Sequence, residues 1–313
     1  MSKIAFVFPG QGSQVVGMGK GLFEQFADVQ NIFSKADKKL AFSLSDLIFH
    51  GPQETLTLTM NAQPALLVTS IAILNRLKAS GIEADFVAGH SLGEYTALVA
   101  AGMLSFEEAV TIVRKRGEYM EEAVPAGVGT MAAVLGAERQ KLAELTDSIS
   151  EAGLPVQLAN INSPGQIVVS GSVAGVQQVG ELGKSIGAKR VLPLDVSGPF
   201  HSILMKPAAG KLQEAFEDIA WSDAQIPVIS NVTAQPVMSA EEMKMKLIEQ
   251  LYSPVLWQDC VEKMIELGTD TFIEVGPGKV LSGLIKKINR SVRVFSVSTE
   301  EEAQAVVAEL KGE

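Results

Sequence analysis

Phe86-Val-Ala-Gly-His-Ser-Leu-Gly-Glu94 leads straight into Tyr95–Ala101. Its first three residues form a short apolar run and its last enter a helix-forming one. Gly89-His90-Ser91-Leu92-Gly93 therefore stands where a strand passes into a helix. In that setting Gly-x-Ser-x-Gly is a sharp turn that lifts the serine hydroxyl into the open. The two glycines spare side chains that would collide with strand and helix. Ser91 then lies at a helix N-terminus, whose free N–H groups can face a developing negative charge. A plain glycine-rich turn with a capping serine suits the same residues; the flanking strand and helix weigh against it. The unit predicts an α/β fold, a hydrolase-like and mainly parallel sheet flanked by helices.

The 313 residues are 47% hydrophobic, enough for a substantial core. The first apolar run stops at Pro9-Gly10, and no later run reaches membrane-spanning length. A single cysteine, Cys260, excludes an internal disulfide framework and fits a reducing cytoplasm. That cysteine and the 3 histidines show no metal-ligand spacing, so no metal site is expected. A net charge of −10 argues against nucleic acid as the main partner.

Lys3–Phe8 reads as a buried first strand, and Pro9-Gly-Gln-Gly-Ser-Gln14 as the loop after it. Val15 stands where a dinucleotide fingerprint needs its third glycine, and the Gly-Lys-Ser/Thr of a P-loop is missing. The loop belongs at the carboxyl end of its strand, where α/β sheets bind ligands. Helices are predicted over Leu22–Leu40 and Ala62–Lys78, and from the capping box Ser105–Glu108 to Ala123. Beyond the linker Pro125–Gly129 the order is strand, helix, strand, strand, helix, strand: 130–135, 137–150, 156–161, 166–170, 173–186 and 189–194. That order is a ferredoxin-like βαββαβ unit. The expected organisation is a discontinuous large α/β subdomain, 1–126 and 196–313, with a small inserted one, 127–195. A helix over Ile203–Ile219, strands over 227–232, 271–275 and 292–297, and a helix from Ser239 to Leu251 complete the pattern.

Two side chains stand out. Phe106, Ala109, Val110, Val113 and Met120 share one face of their helix at about 100° per residue, and Arg116 falls within that stripe. A buried arginine must be paired. Either it forms a structural ion pair, for instance with Glu94, or it waits for a substrate carboxylate. His201 sits at a loop-to-helix junction far downstream of Ser91, where a hydrolase-like sheet supplies its general base. His50 lies beside Gly51-Pro52 in an expected loop. Asp195 and Asp259 are candidates to orient His201, while Asn160, Asn162 and Ser163-Pro-Gly165 read as turn formers on the inserted hairpin.

Phe8-Pro-Gly-Gln-Gly-Ser13, Gly89–Glu94, Arg116-Gly117, Asn162-Ser-Pro-Gly-Gln166, Pro199-Phe-His201 and Gln250-Leu251, in this order, resemble the malonyl-CoA:acyl-carrier-protein transacylases of bacterial type II fatty acid synthesis, relatives of the acyltransferase domains. The resemblance spans essentially the whole chain. It implies Ser91 as acylated nucleophile and His201 as general base and acid. It also implies an oxyanion hole from the N–H groups of Gln11 and Leu92, and Arg116 on the malonyl carboxylate. The histidine would be held by the main-chain carbonyl of Gln250, which puts Asp195 and Asp259 in doubt. Phe200 and Leu92 resemble the malonyl-selective pattern, a bulky ring disfavouring a 2-methyl branch, and Asn162 is a candidate contact for the pantetheine arm.

The implied reaction is ping-pong transfer through malonyl-Ser91, with no cofactor: malonyl-CoA is substrate and phosphopantetheine arrives on the carrier protein. The rivals are a serine thioesterase or hydrolase using the same elbow, and a non-catalytic carrier-protein-binding module. The family's carrier protein is acidic, so a basic patch is expected, with Lys184, Lys189 and Arg190 or Lys286, Lys287 and Arg290 as candidates. The resemblance further implies a monomer in the cytoplasm.

Overall fold

The computed structural model describes residues 3–125 and 127–312. Met1, Ser2 and Ala126, the last in the expected linker and at the expected subdomain boundary, lie outside the described residues, as does Glu313. Ten strands are described: β1 Lys3–Phe8, β2 Phe86–Gly89, β3 Gly129–Leu135, β4 Val156–Ser163, β5 Gln166–Ser172, β6 Arg190–Pro193, β7 Val228–Ile229, β8 Pro236–Val237, β9 Thr269–Val275 and β10 Arg293–Val297. They form a six-stranded sheet in the order β10-β9-β1-β2-β7-β8 and a four-stranded sheet in the order β4-β5-β3-β6.

In the larger sheet β10, β9, β1, β2 and β7 are mutually parallel, and only β8 runs against its neighbour. Ala5–Phe8 and Phe86–Gly89 are buried throughout, as central strands covered by helices on both faces must be. The smaller sheet is antiparallel at every pairing. With helix Arg139–Glu151 after β3 and helix Val173–Leu182 after β5, its order is that of the split βαβ unit.

β4 also touches the large sheet's side of the molecule. Ile161 N–H donates to the Val255 carbonyl at 2.9 Å, and Val255 N–H to the Ala159 carbonyl at 2.8 Å.

Several elements differ from the sequence pattern. The helix expected over Leu22–Leu40 is two, Lys20–Gln25 and Ala27–Leu40, because Phe26 is extended (φ −126°, ψ 121°). Ile203–Met205 is a 3-10 turn before helix Lys206–Phe216, in which Pro207 takes a first-turn place where no N–H is needed. Helix Val173–Leu182 likewise tightens into a 3-10 turn over Gly183–Ile186. Of the strand expected over 227–232 only Val228–Ile229 pairs; Ser230 and Asn231 continue past the sheet. His50 closes helix Leu44–His50 instead of lying in a loop.

Helix Thr59–Ala79 starts ahead of the expected Ala62 and carries Pro64 inside it. A proline leaves the carbonyl four residues back unpaired. That carbonyl is Met60's, and it accepts from Arg114 Nη1 at 3.3 Å.

Candidate active site

β1, β2 and β7 lie side by side, and at their carboxyl ends come Pro9–Gln11, the Ser91 turn and Asn231. In open α/β sheets ligands bind at that end. A cavity of about 170 Å³ opens there, lined among others by Gln11, Ser91, Leu92, Arg116, Phe200 and His201.

The turn demands its glycines. A Cβ on Gly89 would stand 1.9 Å from the Gly93 carbonyl, and one on Gly93 would stand 2.2 Å from the Phe8 carbonyl oxygen. Ser91 itself has φ 53° and ψ −107°. For a residue bearing a Cβ such a conformation costs on the order of 1–3 kcal/mol and persists only where the surroundings enforce it. Asn231 enforces it: its Oδ1 accepts the Ser91 N–H at 2.8 Å and its Nδ2 donates to the Gly89 carbonyl at 2.7 Å.

His201, also left-handed (φ 58°), brings Nε2 to 2.8 Å from Ser91 Oγ. Its Nδ1 lies 2.8 Å from the Gln250 carbonyl oxygen. A carbonyl only accepts, so Nδ1 carries the proton and Nε2 of the neutral ring is free to take one from Ser91. Burial, reinforced by the Arg116 charge, pushes the imidazole down to about 3 and keeps it neutral. Neither aspartate candidate orients the ring: Asp259 pairs with Arg139 at 2.8 Å, and Asp195 lines the cavity without bonding His201.

Arg116 is almost wholly buried and lies on the stripe side of its helix. Nη2 donates to Ser91 Oγ at 3.2 Å and to Gln250 Oε1 at 2.9 Å, and Nη1 to Gln63 Oε1 at 2.7 Å. The direct ion pair with Glu94, one of the two readings the sequence leaves open, does not form. Glu94 is fully buried, and accepts from the Asn231 N–H and from Gln250 Nε2. Burial pushes its carboxyl up to about 7. Gln250 thus reaches the site twice, through its carbonyl to His201 and through its amide between Glu94 and Arg116.

Among the described residues the Gln11 and Leu92 main-chain N–H groups have no hydrogen-bond partner, and both residues line the cavity beside Ser91. Asn162 is engaged elsewhere: its Oδ1 lies 2.8 Å from His90 Nε2, and Asn160 lines the cavity instead. Burial lowers the His90 ring's pKa. Gln63, Gln157 and Asn231 belong to none of the sequence motifs that point to the site. Gln63 had a signal, an amide inside an otherwise apolar helix, and so had Asn231, a polar residue ending a buried strand. No group of histidine, cysteine and acidic side chains that could hold a metal occurs among the described residues.

An elbow serine bonded to a carbonyl-held histidine, with a buried arginine over the hydroxyl, defines a site for acyl-group chemistry on an α/β sheet. The acyl transferase domain family matches residues 5–311, and the chain belongs to that family. The malonyl CoA-acyl carrier protein transacylase of Bacillus subtilis (strain 168) is 58% identical over 313 residues, 100% of this chain and 99% of that one. An acyl carrier protein S-malonyltransferase structure from Vibrio cholerae superposes with a TM-score of 0.95 at 45% identity, covering 97% of this chain and 100% of that one. A malonyl-transacylase solved in complex with its type II polyketide synthase acyl carrier protein gives a TM-score of 0.95 at 40% identity, covering 98% and 100%. No helix among the described residues is long and apolar enough to cross a membrane.

Proposed function

We propose that this chain moves malonyl from malonyl-CoA to the phosphopantetheine thiol of an acyl carrier protein, supplying fatty acid synthesis. The observation that carries it is Arg116: a buried guanidinium at the nucleophile, held by two amide oxygens and in no ion pair with a carboxylate among the described residues. A buried cation left so costs several kcal/mol, and an acyl group ending in a carboxylate relieves that cost.

Ser91 Oγ bonds to the thioester carbon as its proton passes to His201 Nε2. The oxygen of the tetrahedral intermediate turns to the N–H groups of Gln11 and Leu92. The C–S bond breaks and CoA leaves with the proton from His201. The carrier thiol then gives its proton to His201 and attacks malonyl-Ser91, and Ser91 Oγ recovers the proton as its bond to the acyl carbon breaks. A thioester is exchanged for a thioester, so neither a metal nor a nucleotide enters the step. Phe200 and Leu92 crowd the carbon between the two carboxyls and disfavour a methyl branch there. Asn162, bonded to the cavity-lining His90, contacts the pantetheine arm.

The carrier protein docks on basic side chains beside the β4–β5 hairpin. Lys287 Nζ donates to Gln166 Oε1 at 3.0 Å on one side of that hairpin. Lys189 packs against Gly136, whose N–H donates to the Gly165 carbonyl at 2.8 Å.

Intact mass after malonyl-CoA exposure tests the reading. Wild type should gain one malonyl adduct and Ser91→Ala none. Rapid release of free malonate without carrier protein would turn the assignment to a hydrolase.

A further inference from the structure

We propose that Gln157, on β4 of the small sheet, is a positioning residue that fixes the distance between His201 and the chain segment that orients it. This rests on the acyl-transfer reading above and deepens it.

The Gln157 amide bonds to two chain segments at once. Nε2 donates to the His201 carbonyl at 3.2 Å and to the Tyr252 carbonyl at 3.2 Å, and Oε1 accepts the Ile203 N–H at 2.9 Å. His201 itself and Ile203, two residues on, belong to the loop that carries the imidazole, and Tyr252 follows Gln250 by two residues. One amide therefore ties together the two stretches of chain between which the His201 Nδ1 to Gln250 carbonyl bond is made. The strand it stands on is itself anchored to the second segment, through the paired Ala159, Ile161 and Val255 backbones.

The tie matters because His201 holds a left-handed backbone, φ 58°, without being glycine. Such a residue relaxes unless its neighbours prevent it. Within its own loop the Ser202 hydroxyl bonds to the Pro199 carbonyl, the Phe200 N–H to the Gly198 carbonyl and the Met205 N–H to the Ser202 carbonyl, none of which holds the main chain of the histidine itself. The restraint on the histidine's own carbonyl comes from Gln157. If His201 relaxes, Nε2 moves away from Ser91 Oγ, while the Gln11 and Leu92 N–H groups, on other elements, stay in place and Arg116 keeps its bond to Gln63. The small sheet thus contributes to base geometry as well as covering the cleft.

The test compares wild type, Gln157→Met and Gln157→Glu. Methionine keeps the length and removes all three bonds; glutamate keeps the acceptor for Ile203 and loses the donors. Quenched-flow mass measurement gives the rate of malonyl-Ser91 formation against pH, and calorimetry on a Ser91→Ala background gives malonyl-CoA affinity. Both variants should acylate about 10- to 100-fold more slowly, the scale of a small misplacement of a reacting group. Affinity should stay within about twofold, since uniform binding is untouched. The acid limb of the rate profile should move to higher pH, because a loosened imidazole gains water. Wild-type rate and profile in a folded variant would overturn the proposal, and so would a slower rate with an unmoved acid limb. Should Gln157→Met fail to fold, Gln157→Leu, which likewise adds no charge beside the imidazole, is judged by the same criteria. Wild type that forms no adduct would instead overturn malonyl transfer itself.

Discussion

Glu94 and Arg116, a buried carboxylate and a buried guanidinium, meet only through the Gln250 side chain. Its NH2 faces Glu94 and its oxygen faces Arg116. The Glu94 carboxyl oxygen accepts and the guanidinium donates, so the two side chains together fix which way the amide points. A direct pair would have spent the guanidinium on its own protein; with one amide between them Arg116 is in no ion pair among the described residues, as the proposed carboxylate role requires. Glu94→Leu removes the acceptor that holds the Gln250 NH2 and so loosens the amide whose oxygen holds Arg116. Malonyl-CoA KM should rise about tenfold and stability fall by about 1–3 kcal/mol, because the buried Asn231 N–H loses its acceptor while the Gln250 NH2 keeps only the Ser91 carbonyl and Asn231 Oδ1. Glu94→Gln, which still offers an oxygen, should keep most of the turnover. Equal kinetics in both variants would remove Glu94 from the site's design.

Arg116→Ala should separate malonyl from acetyl. A charge-assisted hydrogen bond to a carboxylate is worth about 1.5–3 kcal/mol, roughly 10- to 100-fold in rate. Malonyl transfer should fall by that factor while acetyl transfer holds or rises. Arg116→Lys should not restore it, because an ammonium cannot reach Gln63, Gln250 and the substrate from one planar fork. Steady-state transfer with both donors checks this, and unchanged malonyl preference would refute the role.

The His201 imidazole, held at about 3 by burial and by the Arg116 charge, sets a pH prediction. A general base works in its neutral form, so the rate of malonyl-Ser91 formation should lose no ground to His201 protonation until the pH approaches about 4. Arg116→Ala removes a charge that lowers the imidazole pKa, so the acid limb should shift upward. Stability carries the opposite face of the same shift. The folded pKa lies below the ordinary 6.5. Protons therefore bind the unfolded chain first, and this group's share of stability is lost as pH falls from about 6.5 towards 3, at up to about 1.4 kcal/mol per pH unit. His201→Gln should flatten that part of a denaturation-versus-pH curve.

What the sequence disclosed follows from locality. The elbow, the capping box Ser105–Glu108 and the order of the βαββαβ unit are written in adjacent residues, and both sheets form from them. Arg116 announced itself as a charge on an apolar stripe, yet its partners did not. Gln63 and Gln250 lie 53 and 134 positions away. Only the packing of three helices joins them. Gln157 was illegible for the same reason, and Asn231 showed only as a polar residue after a buried strand: each bonds to backbone groups that nothing local ties to it. The break at Phe26 has no glycine or proline to mark it, and helical periodicity runs across it unaltered.

Charge reversal beside the β4–β5 hairpin should separate the two half-reactions. Lys189 and Arg190 on the small sheet, and Lys286, Lys287 and Arg290 near the C-terminus, are all exposed. The chain as a whole carries −10, so an acidic carrier protein meets net repulsion except where such residues gather. Lys287 bonds to Gln166 of the hairpin, and Lys189 packs against Gly136, which bonds to Gly165 at its turn, so the two groups lie near a common feature. β4, which enters this hairpin, also carries Asn160 into the cavity. Lys189→Glu and Lys287→Glu should each raise the KM for carrier protein several-fold at low salt. The effect should shrink as ionic strength rises and the screening length falls to about 8 Å near 0.15 M. Formation of malonyl-Ser91 from malonyl-CoA alone should be untouched, because neither lysine lines the cavity. Transfer assays at two salt concentrations, paired with adduct formation, distinguish the two. A variant that leaves carrier-protein KM unchanged at low salt removes that side of the hairpin from the docking surface.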